Sequence, residues 1–146
     1  LKPSQIVDGY FGTLLRMADE DERGGVTFLR LLGRTLTDPS EFIRTFLAEE
    51  YAGVMERYKS ALLKALPDVP KAEIVWRFHF MLGATSYAIA GTDALRVVTD
   101  WQIEPSDTVD RTDRLLPRLM SFLLGGLRAP LPQFGALAEG AEVKVA

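Results

Sequence analysis

Residues 78–91 read FHFMLGATSYAIAG, with no charge unless the lone histidine takes a proton. Few folds tolerate such a run. Placed on a helix at about 100° per residue, Ile74, Phe78, Met81, Leu82, Thr85 and Ile89 share one face. Trp76, Phe80, Gly83 and Tyr87 share the opposite face, with Ala84 and Ala88 on one flank and His79 and Ser86 on the other. A helix apolar on both faces is buried on both faces. The uncharged run extends to Thr92, short of the ~20 residues that span a bilayer, and it contains His79, Thr85 and Ser86. A buried helix of a soluble domain is therefore expected, spanning about Lys71 to Ala90.

The rest of the chain carries helical periodicity and no convincing strand. The spacing predicts a first helix from Pro3 or Ser4 to about Ala18, with Ile6, Tyr10, Leu14 and Met17 as its stripe. The acidic run 19–22 and Gly24-Gly25 interrupt it. A short helix follows from Val26 to Leu36. A long third helix is expected from about Glu41 to Leu66, with Ser40 as N-cap and Pro67-Asp68-Val69-Pro70 as its stop. After the apolar fourth helix, residues 91–109 read as a loop with a turn of helix at Ala94–Val98. A fifth helix is predicted from about Thr108 to Leu127, bent or split near Arg114 by Pro117. Beyond Pro130 the Pro/Gly/Ala-rich sequence reads as a loosely ordered tail. The fold class is thus all-α: five or so helices in an antiparallel bundle, one domain over residues 1–129 and a tail over 130–146.

The fifth helix repeats the theme of the fourth. Leu116, Leu119, Met120, Leu123 and Leu127 form one face, and Leu115, Phe122 and Leu124 widen it. Two over-apolar helices can both be central in a monomer core. A second copy of the chain covers them more simply, in an intermolecular four-helix bundle. The interface residues expected on that reading are Trp76, Phe80, Gly83, Tyr87, Leu116, Met120, Leu123 and Leu127.

Composition removes several kinds of chemistry. The absence of cysteine excludes disulfides, thiolate zinc sites and cysteine nucleophiles, and suits a cytoplasmic location. His79 is the only histidine and no G-x-S-x-G elbow occurs, so no catalytic residue is assigned and an enzyme is not expected. His79 with Glu49 and Glu50 lacks metal-ligand spacing, so neither a metal nor another cofactor is expected, and His79 reads as a core or interface residue. The net charge of −3 gives no overall attraction for nucleic acid. Arg111, Arg114, Arg118 and Arg128 read as the solvated back of the fifth helix.

The run SEFIRTFLAEEYAGVMERYKSALLKALPDVPKAEIVWRFHFMLGATSYAIAG resembles the C-terminal regulatory domain of tetracycline-repressor-like (TetR family) transcription regulators. The resemblance covers about residues 3–128. The long helix, the Leu-Pro break and WRFHFMLGA are similar to the PsrA-like branch, whose members regulate fatty-acid metabolism genes. This implies an all-helical homodimer whose last two long helices form the interface. It also implies a small hydrophobic ligand, such as a fatty acid or acyl-CoA, inside the domain. Operator DNA is bound in such repressors by a separate N-terminal helix-turn-helix domain, which is expected to be missing from this chain. No membrane partner is implied. A stand-alone helical binding or scaffold protein is the alternative.

A ligand cavity is expected among the first four helices, because the apolar stripe of the third is longer than its short neighbours can cover. Tyr10, Leu14, Phe28, Phe46, Glu50 and Phe78 are the residues expected in its wall. Glu50 borders the apolar stripe, and Arg57 on the same flank is placed to pair with it.

These readings predict that residues 1–146 alone do not retard duplex DNA sequence-specifically at physiological salt. An electrophoretic mobility assay against an operator library checks this.

Overall fold

The computed structural model describes residues 1–17, 20, 24–38, 40–90 and 112–134, with Thr112 and Asp113 described by backbone alone. The elements are α1 (Pro3–Val7), a π-helical turn (Asp8–Gly12), α2 (Thr13–Arg16), α3 (Gly25–Thr37), α4 (Glu41–Ala65), α5 (Lys71–Ile89) and α6 (Thr112–Leu127). The first three are one continuous helical segment, so the architecture is an all-α bundle with no strand among the described residues. The expected tail and the 91–109 loop fall largely outside the described residues, as does the start of the fifth helix.

Local chemistry explains the boundaries. Pro3 supplies a preset φ at the start of α1. Gly24 takes φ +89° at the N-cap of α3, a left-handed conformation that favours glycine. Ser40 caps α4, its hydroxyl accepting from the Ile43 N–H at 3.5 Å. Its own N–H donates to Asp38 Oδ1 at 2.7 Å. α4 closes at Leu66, before the Pro67–Pro70 stop. Of the bend or split expected near Arg114, the split does not occur: α6 runs unbroken from Thr112 to Leu127 with Pro117 inside it. Its missing N–H removes one bond, to the Asp113 carbonyl, and packing retains the rest of the helix.

The core is assembled on α5. Ile74, Phe78, Met81, Thr85 and Ile89 are all buried, the inner face that the helical spacing specifies. Against them lie Ile6, Val7, Phe11 and Leu15 from the first segment, Leu29 of α3, Leu62 of α4, and Leu119, Leu123 and Leu127 of α6. α3 crosses α5 very closely. A Cβ at Gly33 would stand 2.7 Å from the Ser86 carbonyl oxygen and 2.8 Å from the Ala90 nitrogen, so the crossing requires glycine.

One charged side chain belongs to this interior. Arg77 of α5 is buried and donates from Nη1 to the Leu127 carbonyl at 2.6 Å. Its Nη2 donates to the Ala129 carbonyl at 2.8 Å and reaches the Pro130 carbonyl at 3.5 Å. These acceptors lie at and just beyond the C-terminus of α6, where helical carbonyls lack intrahelical partners and the dipole is negative. Arg77 is thus an external cap that fixes α6 to α5.

Replacing Arg77 by methionine keeps much of the apolar stem and removes both strong charged hydrogen bonds. The expected loss is about 3 kcal/mol of unfolding free energy, from bonds to a charged group and carbonyls left unsatisfied. Urea denaturation followed by circular dichroism measures it.

Candidate functional site

Concavities formed by the described residues lie at three places on the bundle. The first is a cleft of about 230 Å³ between the first helical segment, α3 and α4. Gly9, Tyr10, Thr13, Leu14 and Met17 form one wall. Leu32 and Leu36 of α3 form the second, and Tyr51, Val54, Met55 and Tyr58 of α4 the third. These positions recur at i, i+4 and i+8 or i, i+3, i+4 and i+7, so each helix offers one stripe to the cleft.

The π-helical turn shapes this wall. In it the Thr13 N–H donates back five residues, to the Asp8 carbonyl. The Gly9 carbonyl accepts from the Tyr58 hydroxyl, at 3.1 Å. That bond ties the first segment to α4 across the cleft. Tyr10 meets Tyr58 edge-on with ring centroids 4.8 Å apart, and meets Phe11 likewise at 4.8 Å. Phe78 lies beneath them, 5.9 Å from Tyr10 and 6.1 Å from Phe11. Burial pushes the Tyr10 phenol above its ordinary range, and the neighbouring Tyr51 and Tyr58 raise it further. The Tyr10 hydroxyl therefore stays protonated well beyond neutral pH.

The second concavity, of about 320 Å³, is a groove between α5 and α6 lined by Arg77, Phe80, Met81, Phe122, Leu123 and Gly126. It continues into a bare apolar surface. Trp76, Phe80 and Tyr87 are each more than half exposed, and Phe122 is 69% exposed. A Cβ added at Gly83, Gly125 or Gly126 would meet nothing within 4 Å. Among the described residues no contact requires glycine at these three positions. The third recess, between α4 and α5, has Phe78, His79 and Leu82 on one side and Met55 on the other, with the Glu56–Lys59 ion pair at its edge.

The residues named from the sequence fall in different places. Tyr10 and Leu14 line the first cleft, and Phe78 supports it through Tyr10. Phe28 is half-buried and packs against the core, near Gly24. Phe46 is 46% exposed on the N-terminal half of α4, and Glu50 is exposed there too; neither lines the cleft. Trp76, Phe80, Gly83 and Tyr87 lie together on the exposed outer face of α5. Leu123 and Leu127 are buried within the single chain, while Leu116 and Met120 are half-buried.

Tyr51, Tyr58, Met17 and Met55 were not singled out for the cleft, although Tyr58, Met55 and Tyr51 keep the i, i+3 and i+4 spacing of one stripe. Phe122 was assigned only to a widened apolar face. His79 is a correction to the core reading. It is exposed on α5, 6.0 Å from both Trp76 and Phe80, because the buried face is set by Ile74, Phe78 and Met81. Among the described residues no three acidic or histidine side chains gather where they would hold a metal ion. No helix of the described residues is long and apolar enough to cross a membrane.

Residues 8–126 match the family model described as tetracyclin repressor-like, C-terminal domain. No curated protein and no solved structure matches the chain.

A pH dependence follows from Tyr10. Above about pH 10 the unfolded chain loses the phenolic proton while the folded chain retains it. Stability therefore falls as pH rises through this range and levels off above the folded pKa. Tyr10→Phe is expected to flatten that part of the curve, as urea midpoints between pH 8 and 11 would report.

Proposed function

We propose that this chain, which belongs to the tetracyclin repressor-like C-terminal domain family, is the ligand-sensing and dimerisation part of a cytoplasmic transcriptional repressor. The observation that carries the reading is the division of labour in the bundle. A cleft opens among the first segment, α3 and α4, and a bare apolar face lies on α5 and α6. Operator DNA is assigned to a helix-turn-helix domain outside residues 1–146, and no catalytic role is assigned.

The partner of the outer face is a second copy of the chain. Trp76, Phe80, Tyr87 and Phe122 supply large apolar anchors, and Gly83, Gly125 and Gly126 leave room for another backbone. Two copies of α5 and α6 make a four-helix bundle, and a stable interface of this type removes ~800 Å² per subunit from water. Leu123 and Leu127, buried in each subunit, support that face from beneath.

The effector is a small hydrophobic molecule seated in the cleft walled by Tyr10 and Leu14. Occupancy bears on the position of the first segment relative to α4, because the Tyr58–Gly9 hydrogen bond that joins them lies in the wall of the cleft. A ligand shifts the DNA-binding equilibrium only through its different affinity for two arrangements of these helices. The bare edge of α4, where Phe42 is 77% exposed, favours a second reading as a helical binding or scaffold protein with no DNA role.

Light scattering is expected to give twice 16.2 kDa at micromolar concentration. Tyr87→Glu is expected to return the mass to 16.2 kDa without loss of helicity. A monomeric wild-type chain that no hydrophobic ligand stabilises would favour the scaffold reading.

A further inference from the structure

We infer that the cleft between the first helical segment, α3 and α4 selects compact, uncharged, ring-bearing molecules with one hydrogen-bonding group, and rejects free carboxylates. The inference rests on the cleft being the effector site and narrows what that effector is.

Charge is the first reason. Among the described residues lining the cleft no side chain is charged. Arg16, next to Met17 in sequence, is held by Asp8 through a 3.0 Å ion pair, and its second nitrogen also reaches the Asp8 carboxylate at 3.3 Å. A carboxylate drawn into this cleft would lose water and gain no cation from the wall. The polar side chains among the lining residues are those of Tyr10, Tyr51, Tyr58 and Thr13, whose polar groups are all hydroxyls. Tyr58 already donates its proton to Gly9 and retains only acceptor capacity. Tyr10 keeps its proton and is a donor. This set suits one neutral hydroxyl or carbonyl.

Size and shape are the second reason. The cleft measures about 230 Å³. Ligand pockets for larger molecules run to several hundred Å³. The wall offers three tyrosine rings and two thioethers, Met17 and Met55. Ring edges and polarizable sulfur pack well against a flat aromatic molecule. A long flexible chain would lose more rotamer entropy on binding than a rigid ring.

The test is calorimetric titration of the full chain with 2-naphthol, 2-naphthoate and palmitate, repeated on Val54→Trp and Leu36→Trp. Both substitutions put a large ring into this cleft, and circular dichroism confirms that each variant is folded. The expected result is 2-naphthol binding at least tenfold tighter than 2-naphthoate or palmitate, with binding lost in the folded cleft-filling variants. Equal or tighter binding of 2-naphthoate or palmitate, still abolished by the cleft-filling variants, would overturn the ligand class and leave the cleft as the effector site. Binding of none of the three, or binding undiminished in both folded variants, would overturn the class and the site together.

Discussion

The contact on which the rest depends is Arg77 reaching across from α5 to the end of α6. A helix C-terminus presents carbonyls without partners, and here the Leu127 side chain at that terminus is fully buried. Water cannot serve such carbonyls well. The guanidinium does, with bonds of 2.6 and 2.8 Å, and its positive charge matches the dipole of α6. The geometry fixes the axial position of α6 on α5. It thereby decides which residues of α6 enter the core and which are left outside. Leu119, Leu123 and Leu127 go in, and Phe122, Gly125 and Gly126 stay out.

From that fixed pair the two surfaces of α5 acquire separate tasks. Its inner face takes the Phe11 and Leu15 side chains and the close crossing of α3 at Gly33. Its outer face has no partner within the described chain and continues onto Phe122 of α6. The first helical segment links the core to the cleft. Its π-helical turn puts Phe11 into the core and Tyr10 into the cleft, next to each other. The Gly9 carbonyl ties the turn to Tyr58. A molecule entering there meets a place where α4 is bonded to the first segment by a side chain far away in sequence. That is the physical content of the sensing proposal.

Much of this was legible from spacing. The two faces of α5 follow from the period of the helix, so Ile74, Phe78, Met81, Thr85 and Ile89 could be assigned inward and Trp76, Phe80, Gly83 and Tyr87 outward. Ser40 and the Pro67–Pro70 break were legible because capping and proline are local effects. Arg77 was not, because a basic residue on a helix flank reads as solvated until the partner terminus is placed beside it. Gly33 has no sequence signal that separates a close crossing from a tolerated glycine. The cleft was half legible. Tyr10 and Leu14 sit on the first stripe, but Phe46 and Glu50 lie on the exposed part of α4, where a long apolar stripe outruns the neighbours that would cover it. The π-helical turn also shifts the register of the first segment, which a uniform period cannot anticipate.

The central claim is that the outer face of α5 and α6 meets its own copy. The chain contains no cysteine, so a single introduced thiol reports on one position. Gly83→Cys, where a side chain meets nothing among the described residues, is the direct probe, with Phe42→Cys on the exposed edge of α4 as control. Treated with a short bismaleimide at micromolar concentration, Gly83→Cys is expected to run as a covalent dimer and Phe42→Cys as a monomer. A Gly83→Cys chain that stays monomeric, or a Phe42→Cys chain that cross-links as fast, would contradict the account.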